Sequence, residues 1–270
     1  MSITTDYGLL TMLAADDYFA AAMERLSRLP SSQRDALDRA AALCTEAIAA
    51  DGLVHLFGCG HSRMMCEEMT PRQGCFVGWH TIVELGLTFH NLTVGPNGLR
   101  QSLHLEKTAG YAEQILRNFA FGPKDVMIVI STSGIREIII EMALGAKQRG
   151  LGVIGLCSRE HCEQAKPAHS SGKKLMDVAD VVLDNGAPVG DSLLALDGCR
   201  HKTGPFSTLG GALVMNMLRC EVAARLAARG VEPVFLPSHQ FVGDRTVEEE
   251  LEYFYAQYAK RIAPLYARQG

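Results

Sequence analysis

The sequence predicts a three-layer α/β sandwich built on a buried parallel sheet. Three observations carry this. Segments 53–57, 126–130, 152–156 and 179–183 are rich in Val, Ile and Leu, as in strands covered on both faces. Stretches with helical spacing separate them, and strand–helix alternation places helices on both sides of such a sheet. Two strands also run straight into turns of small and hydroxyl residues, Gly58-Cys59-Gly60-His61-Ser62 and Ser131-Thr132-Ser133-Gly134.

Each element has its own signal. Tyr18, Phe19, Ala22, Met23 and Leu26 recur at helical spacing over 16–29, and Pro30-Ser31-Ser32 then breaks the pattern and offers a cap. A second helix spans 33–50, with Leu37, Ala40, Ala41 and Ile48 on one side. Together these helices read as an N-terminal helical arm over 1–50, of the kind that often makes subunit contacts, and 51–270 as the main domain. Within it, strand 53–57 leads to a helix over 62–69, and a strand follows near 76–83. A long connection to about 124 holds a helix around 105–119. Strand 126–130 enters a helix over 135–149, which Gly150 ends. Strands 152–156 and 179–183, a Gly/Pro loop, and helices over 207–229 and 247–267 are the last elements.

The bulk numbers narrow the function class. The chain has 270 residues, 47% hydrophobic and 21% charged, an ordinary globular balance. Its net charge of −4 argues against a general nucleic-acid binder. The 8 cysteines form no C-x-x-C pair and sit mostly among apolar or helical residues, as reduced thiols of a cytoplasmic protein do. No run approaches the ~20 apolar residues of a membrane span, and Met1 to Leu13 lacks the basic start and apolar stretch of a signal peptide. A cytoplasmic protein with no membrane partner is expected.

The two turns carry the chemistry. A strand that ends in small residues and opens a helix leaves backbone N–H groups aimed at one spot, where the helix start favours an anion, most often phosphate. Gly58 to Arg63 is not a dinucleotide fingerprint, because Arg63 stands where the third glycine belongs. Ser131, Thr132, Ser133 and Gly134 fit a phosphate cradle, and Arg136 one turn into the helix would pair with a dianion. The same residue types favour a plain helix N-cap; the presence of a second such turn, with Gly60 and Ser62, favours phosphate. Of Glu67 and Glu68, Glu68 is preferred as a base near that phosphate. Glu84 lies between apolar residues, where a carboxyl must be satisfied or shifted in pKa.

Of the loop histidines His90, His104 and His239, the last stands in a late loop able to fold over a site. Cys157, His161 and Cys162 are close in sequence but lack the spacing and fourth partner of a zinc site; no metal and no cofactor is expected. Two loops at the ligand edge of the sheet look specialised. One holds Lys173 in His169-Ser170-Ser171-Gly172-Lys173-Lys174, the other runs from Asp184 to Asp191. Ser207 and Thr208, opening a long helix, could cap it or touch a sugar.

Those turns, with Ser207-Thr208 opening a later helix, resemble the SIS (sugar isomerase) domain family. The two loops resemble a bacterial group of stand-alone SIS proteins, and the resemblance covers nearly the whole chain. It implies a five-stranded parallel, flavodoxin-like sheet, a homodimer or homotetramer, and a sugar phosphate as ligand. Matched to the family's motifs, Ser131, Thr132 and Ser133 would hold the phosphate. Arg136 stands where some members place a phosphate-touching threonine, and His61 where arabinose-5-phosphate isomerase has a lysine. A family glutamate on or after the first-turn helix points to Glu68, and a late histidine to His239. The expected activity is aldose–ketose isomerisation of a phosphosugar or amino sugar phosphate, with His239 or His61 assisting ring opening. An etherase or lyase acting on a similar sugar phosphate, and a non-catalytic sugar-phosphate sensor, are the alternatives.

Overall fold

Five strands, β1 (Val54–Gly58), β2 (Trp79–Ile82), β3 (Val126–Ile130), β4 (Gly152–Cys157) and β5 (Val181–Asp184), pair in parallel in the order β2-β1-β3-β4-β5. This is the computed structural model of the chain, and it describes residues 13–88, 98–238 and 246–267. Alternate strand residues enter opposite cores. Val54, Leu56, Val126, Ile128 and Ile130 face one side, and Phe57, Met127 and Val129 the other, the two-residue period of a strand buried on both faces.

Helices cover both faces. In chain order they are α1 (Leu13–Ser32), α2 (Arg34–Ala49), α3 (Arg63–Met69), α4 (Gly98–Leu105), α5 (Tyr111–Leu116), α6 (Glu137–Gln148), α7 (Arg159–Gln164), α8 (Leu175–Val178), α9 (Ser207–Ala228) and α10 (Val247–Ile262). On the first face α2, α3 and α9 bury Ala40, Cys44, Met65, Met69, Val214 and Leu218 against the sheet. On the second, α5, α6 and α8 bury Leu116, Ile139, Met142 and Leu175. Among the described residues no helix is long and apolar enough to cross a membrane.

Several boundaries differ from the sequence expectation. Pro30 does not break the first helix; α1 runs on to Ser32. Pro30 sits two residues before the helix end, so the backbone hydrogen bond it removes belongs to the last turn. The chain turns at Gln33 instead, whose buried amide pins the α1–α2 corner to both backbone groups of Asp184 at 2.9 Å. The helix expected around 105–119 is shorter, α5 alone over Tyr111–Leu116; α4 ends at Leu105, and turns lead from it to Gly110, where φ is +79°. The Gly110 amide donates to the Glu141 carboxylate of α6 at 2.8 Å. The expected Gly/Pro loop contains an antiparallel hairpin of β6 (Ser192–Leu194) and β7 (Thr203–Pro205). The last helix ends at Ile262 and tightens into a 3₁₀ turn over Ala263–Tyr266 that contains Pro264.

One polar chain crosses the amino-terminal end of the sheet. The Asp125 carboxylate accepts from the amides of Leu53 (2.8 Å) and Gly122 (2.6 Å) and from His55 Nε2 (3.0 Å). His55 Nδ1 lies 2.9 Å from His80 Nδ1, and His80 Nε2 lies 3.3 Å from the Tyr266 hydroxyl. With Asp125 ionised, every tautomer follows: Tyr266 donates to His80, His80 to His55, and His55 to Asp125.

Candidate functional site

Both expected turns open onto one cleft at the carboxyl ends of β1 and β3. Strands are added outward in opposite senses from β1 and β3, so the strand order reverses between them, and ligands of open parallel sheets bind at such a point. The cleft encloses about 420 Å³, within the range of about 300–1,000 Å³ typical of small-molecule sites.

The first turn depends on glycine. A Cβ on Gly58 would stand 2.8 Å from the Ser62 carbonyl oxygen, so only a bare backbone lets the chain fold back there. Gly60, with φ at +53°, starts a single 3₁₀ turn over Gly60–Ser62, and α3 follows directly. The second turn is held as firmly. The Ser131 amide donates to Leu156 O (2.9 Å) and the Ser158 amide to Thr132 O (3.0 Å), carrying the β3–β4 ladder into the turn. Ser131 Oγ accepts from the Gly134 amide at 3.1 Å. The amides of Thr132 and Ser133 find no acceptor among the described residues, which leaves them open to an anion.

Arg136 is not one turn into a helix as expected. Gly134 is left-handed (φ +63°) and Arg136 extended (φ −71°, ψ 150°), so α6 starts only at Glu137 and Arg136 is its N-cap. Its side chain lines the cleft with its Nε 3.9 Å from Glu106 Oε2. Glu106 is 8% exposed and lines the same wall. Burial pushes its carboxyl above the usual glutamate range, and the charges of Arg136 and Lys107 pull it partly back.

Asp191, Ser207 and Thr208 also line the cleft. Asp191 caps α9: Oδ1 accepts from the amides of Phe206 (3.1 Å) and Ser207 (2.7 Å), and Oδ2 from the Ser207 hydroxyl (2.6 Å). A helix start carries about half a positive charge, and the Asp191 carboxylate outweighs it. The start of α6, with Arg136 beside it, is the better place for an anion.

The cleft thus gathers Gly60, His61, Ser62, Ser131, Thr132, Ser133, Arg136, Asp191, Ser207 and Thr208. Gly134 supports the second turn from below. Glu68, Glu84 and Lys173 are not among the lining residues. Glu68 ties α3 to α9 instead, accepting from Arg72 at 2.5 Å and from Asn216 at 3.0 Å. Glu84 accepts from the Gly86 amide at 3.0 Å. Lys173 is exposed, and its backbone amide donates to Ser171 Oγ. His90 and His239 lie outside the described residues.

Two lining residues escaped the sequence reading as ligand-facing groups. Glu106 had no signal of its own, being one acid in a polar helical stretch. His161 did have one: it stands just past the end of β4, at the ligand edge of the sheet. Its Nδ1 is buried and finds no hydrogen-bond partner among the described residues. Among the described residues no group of three or more His, Cys, Asp or Glu is placed to hold a metal ion.

The SIS domain family model matches residues 17–158. A UPF0309 protein of Geobacillus kaustophilus is 32% identical over 250 residues, covering 93% of this chain and 96% of its own length. One of Brucella anthropi is 34% identical over 236 residues, covering 87% and 93%. Among solved structures, a phosphoheptose isomerase from Francisella tularensis superposes with a TM-score of 0.52 at 16% identity, over 80% of this chain and 100% of that one. At that identity the likeness speaks for the fold alone.

Proposed function

The chain belongs to the SIS domain family, and from the geometry of its cleft we propose that it binds a phosphosugar and interconverts the aldose and ketose forms. One observation carries the reading. The two hydroxyl-and-glycine turns converge on a single cleft in which a buried carboxyl, Glu106, stands beside the cation Arg136.

In this reading the phosphate sits on the open amides of Thr132 and Ser133, with the hydroxyls of the turn and the Arg136 guanidinium completing its shell. Binding energy from that remote group orients the reactive end of the sugar. Glu106 is the base. It takes the proton from C2 of the open-chain aldose and returns it to C1 of the enediol. Its raised pKa suits it to both halves of that transfer. His161, with Nδ1 unpartnered, moves the proton between the two sugar oxygens. Thr208 and Ser62 face the remaining hydroxyls, with the α9 end held in place by Asp191.

The test is a thermal-shift panel of aldose phosphates, each paired with its unphosphorylated sugar. A ligand that binds the folded state raises the melting temperature by mass action. Any stabilising phosphosugar is then incubated with enzyme in D₂O. Stabilisation by phosphosugars alone, followed by deuterium entering at the carbonyl-adjacent carbon, is the expected result. Equal stabilisation by unphosphorylated sugars would overturn the phosphate assignment. Stabilisation without exchange would overturn the enzymatic half.

A further inference from the structure

Beneath the phosphate turn lies a pair of thiols that the proposed chemistry does not use. Cys157 closes β4 and Cys162 sits on α7; both side chains are fully buried, and both pack against Gly134. A Cβ built on Gly134 would stand 2.9 Å from Cys162 Sγ and 3.7 Å from Cys157 Cβ. The turn therefore rests on this pair. The Lys174 ammonium is parked beside it, donating to Cys162 O at 2.6 Å and Glu163 O at 2.9 Å. His161, the neighbour of Cys162 on α7, lines the cleft.

We propose that Cys157 and Cys162 form a peroxide-sensitive dithiol whose closure into a disulfide deforms the Gly134 turn and weakens ligand binding in the cleft. The effect on binding rests on the reading of that turn as the phosphate site; the disulfide itself does not.

The surroundings of the two sulfurs separate their roles. The neighbouring Cys157 thiol, a bond from the Met176 amide and the charge of Lys174 hold the Cys162 thiol below its usual pKa against the effect of burial. Cys44 and Cys66, equally buried, are pushed well up by burial. The thiolate is the nucleophile, and a sulfenic acid formed on one cysteine condenses with a neighbouring thiol to a disulfide. Cys162 is accordingly the attacking sulfur. Its thiolate displaces hydroxide from hydrogen peroxide and becomes a sulfenic acid. The Cys157 sulfur then attacks that sulfenic sulfur, forms the S–S bond, and releases water with its own proton. Two thiols are oxidised and one peroxide is reduced to two waters. An S–S bond is about 2.05 Å long, much shorter than any contact between unbonded sulfurs. Closure draws Cys162, α7 and His161 toward β4 and shifts the two thiols against which the Gly134 turn packs.

The experiment treats the whole protein with stoichiometric hydrogen peroxide, blocks free thiols, and digests with trypsin without reductant. Trypsin cuts after Arg159, so the bridge ties a peptide ending at Arg159 to one starting at Glu160. That linked pair, lost on adding dithiothreitol, is the expected product. In Cys157→Ala a sulfenic acid trapped by dimedone at Cys162 is expected. Oxidation confined to the exposed Cys199 and Cys220, with 157 and 162 unlinked, would overturn the proposal. Inorganic phosphate is the binding probe. Its apparent affinity by thermal shift should fall roughly tenfold or more in the bridged form, an ordinary size for coupling between sites. Equal affinity in both forms would overturn the regulatory half. Absence of any phosphate or phosphosugar effect on the reduced protein would overturn the proposed function instead. Amide exchange at Gly134 and Leu175 would then decide whether the bridge moves the turn, faster exchange in the bridged form supporting it and unchanged exchange refuting it.

Discussion

Glu106 Oε2 stands 3.9 Å from Arg136 Nε on one wall of the cleft. The backbone reinforces the pairing, since the Ile138 amide at the start of α6 donates to Glu106 O at 3.2 Å. The Glu106 segment is thereby fixed against the start of α6, with its carboxyl lining the same cleft as the Ser131–Ser133 turn.

If Glu106 is the base, Glu106→Gln should lower kcat for the phosphosugar by roughly 100- to 10,000-fold, the usual range for a general base, with KM changed little. Because burial raises the Glu106 pKa, the acid limb of the wild-type kcat/KM profile should lie above the usual glutamate range. Loss of the limb in the variant is the second expected outcome. A wild-type limb at an ordinary glutamate pKa would count against the assignment.

Arg136→Leu should raise KM for the phosphosugar by roughly 10- to 150-fold, since hydrogen bonds to charged groups contribute about 1.5–3 kcal/mol. Binding of the matched unphosphorylated sugar should be unaffected. Arg136 also pulls the Glu106 pKa down, so any remaining activity should show its acid limb shifted further upward. A KM raised equally for both sugars would refute the phosphate contact.

Gly134 and Gly172 are both left-handed, with φ of +63° and +70°. A Cβ on Gly172 meets nothing within 4 Å, whereas one on Gly134 stands 2.9 Å from Cys162 Sγ. Backbone strain of about 1–2 kcal/mol applies to both, and the steric clash to Gly134 alone. Gly134→Ala should lower Tm by about 2–8 °C, and by more than Gly172→Ala does. Equal losses in calorimetry would show that the turn can yield.

Stability should fall in mild acid. Burial, then the neighbouring His55, pushes His80 down to about 4 from its usual 6.5, while Asp125 opposes them weakly. The unfolded chain binds a proton at His80 below pH 6.5 that the folded chain resists until about pH 4. The stabilisation is therefore present above pH 6.5 and is lost as pH falls toward 4. The loss can reach about 3 kcal/mol at 1.36 kcal/mol per pKa unit. Urea melts across that range should show it, and His80→Gln should flatten the slope. A slope unchanged in the variant would assign the acid sensitivity to another group.

Much of the fold was legible because strands and turns are local chemistry. Val126 to Ile130 is apolar at every position, and only burial on both faces makes such a strand stable. The glycines and hydroxyls at 58–62 and 131–134 marked the two turns that line the cleft, the second with the amides of Thr132 and Ser133 open. Pro30 misled because a proline signals the end of a helix but not which residue ends it, and Gln33, bonded to Asp184, chose the corner. Glu68 stood in the right helix but on the side that Asn216 and Arg72 claim, a choice made by α9 from far along the chain. Glu106 was illegible for the converse reason: nothing near it in sequence distinguishes it, and its burial comes from α6 packing over it.

By itself the sequence determined the sheet, its two covered faces and the two turns of small and hydroxyl residues at its carboxyl edge, since each follows from residues adjacent in the chain. Only the tertiary structure decided which carboxyl shares the cleft with those turns and Arg136, and that His161 joins them. Side-chain partnership depends on which helix faces end up opposed, and that is settled by packing between segments distant in sequence.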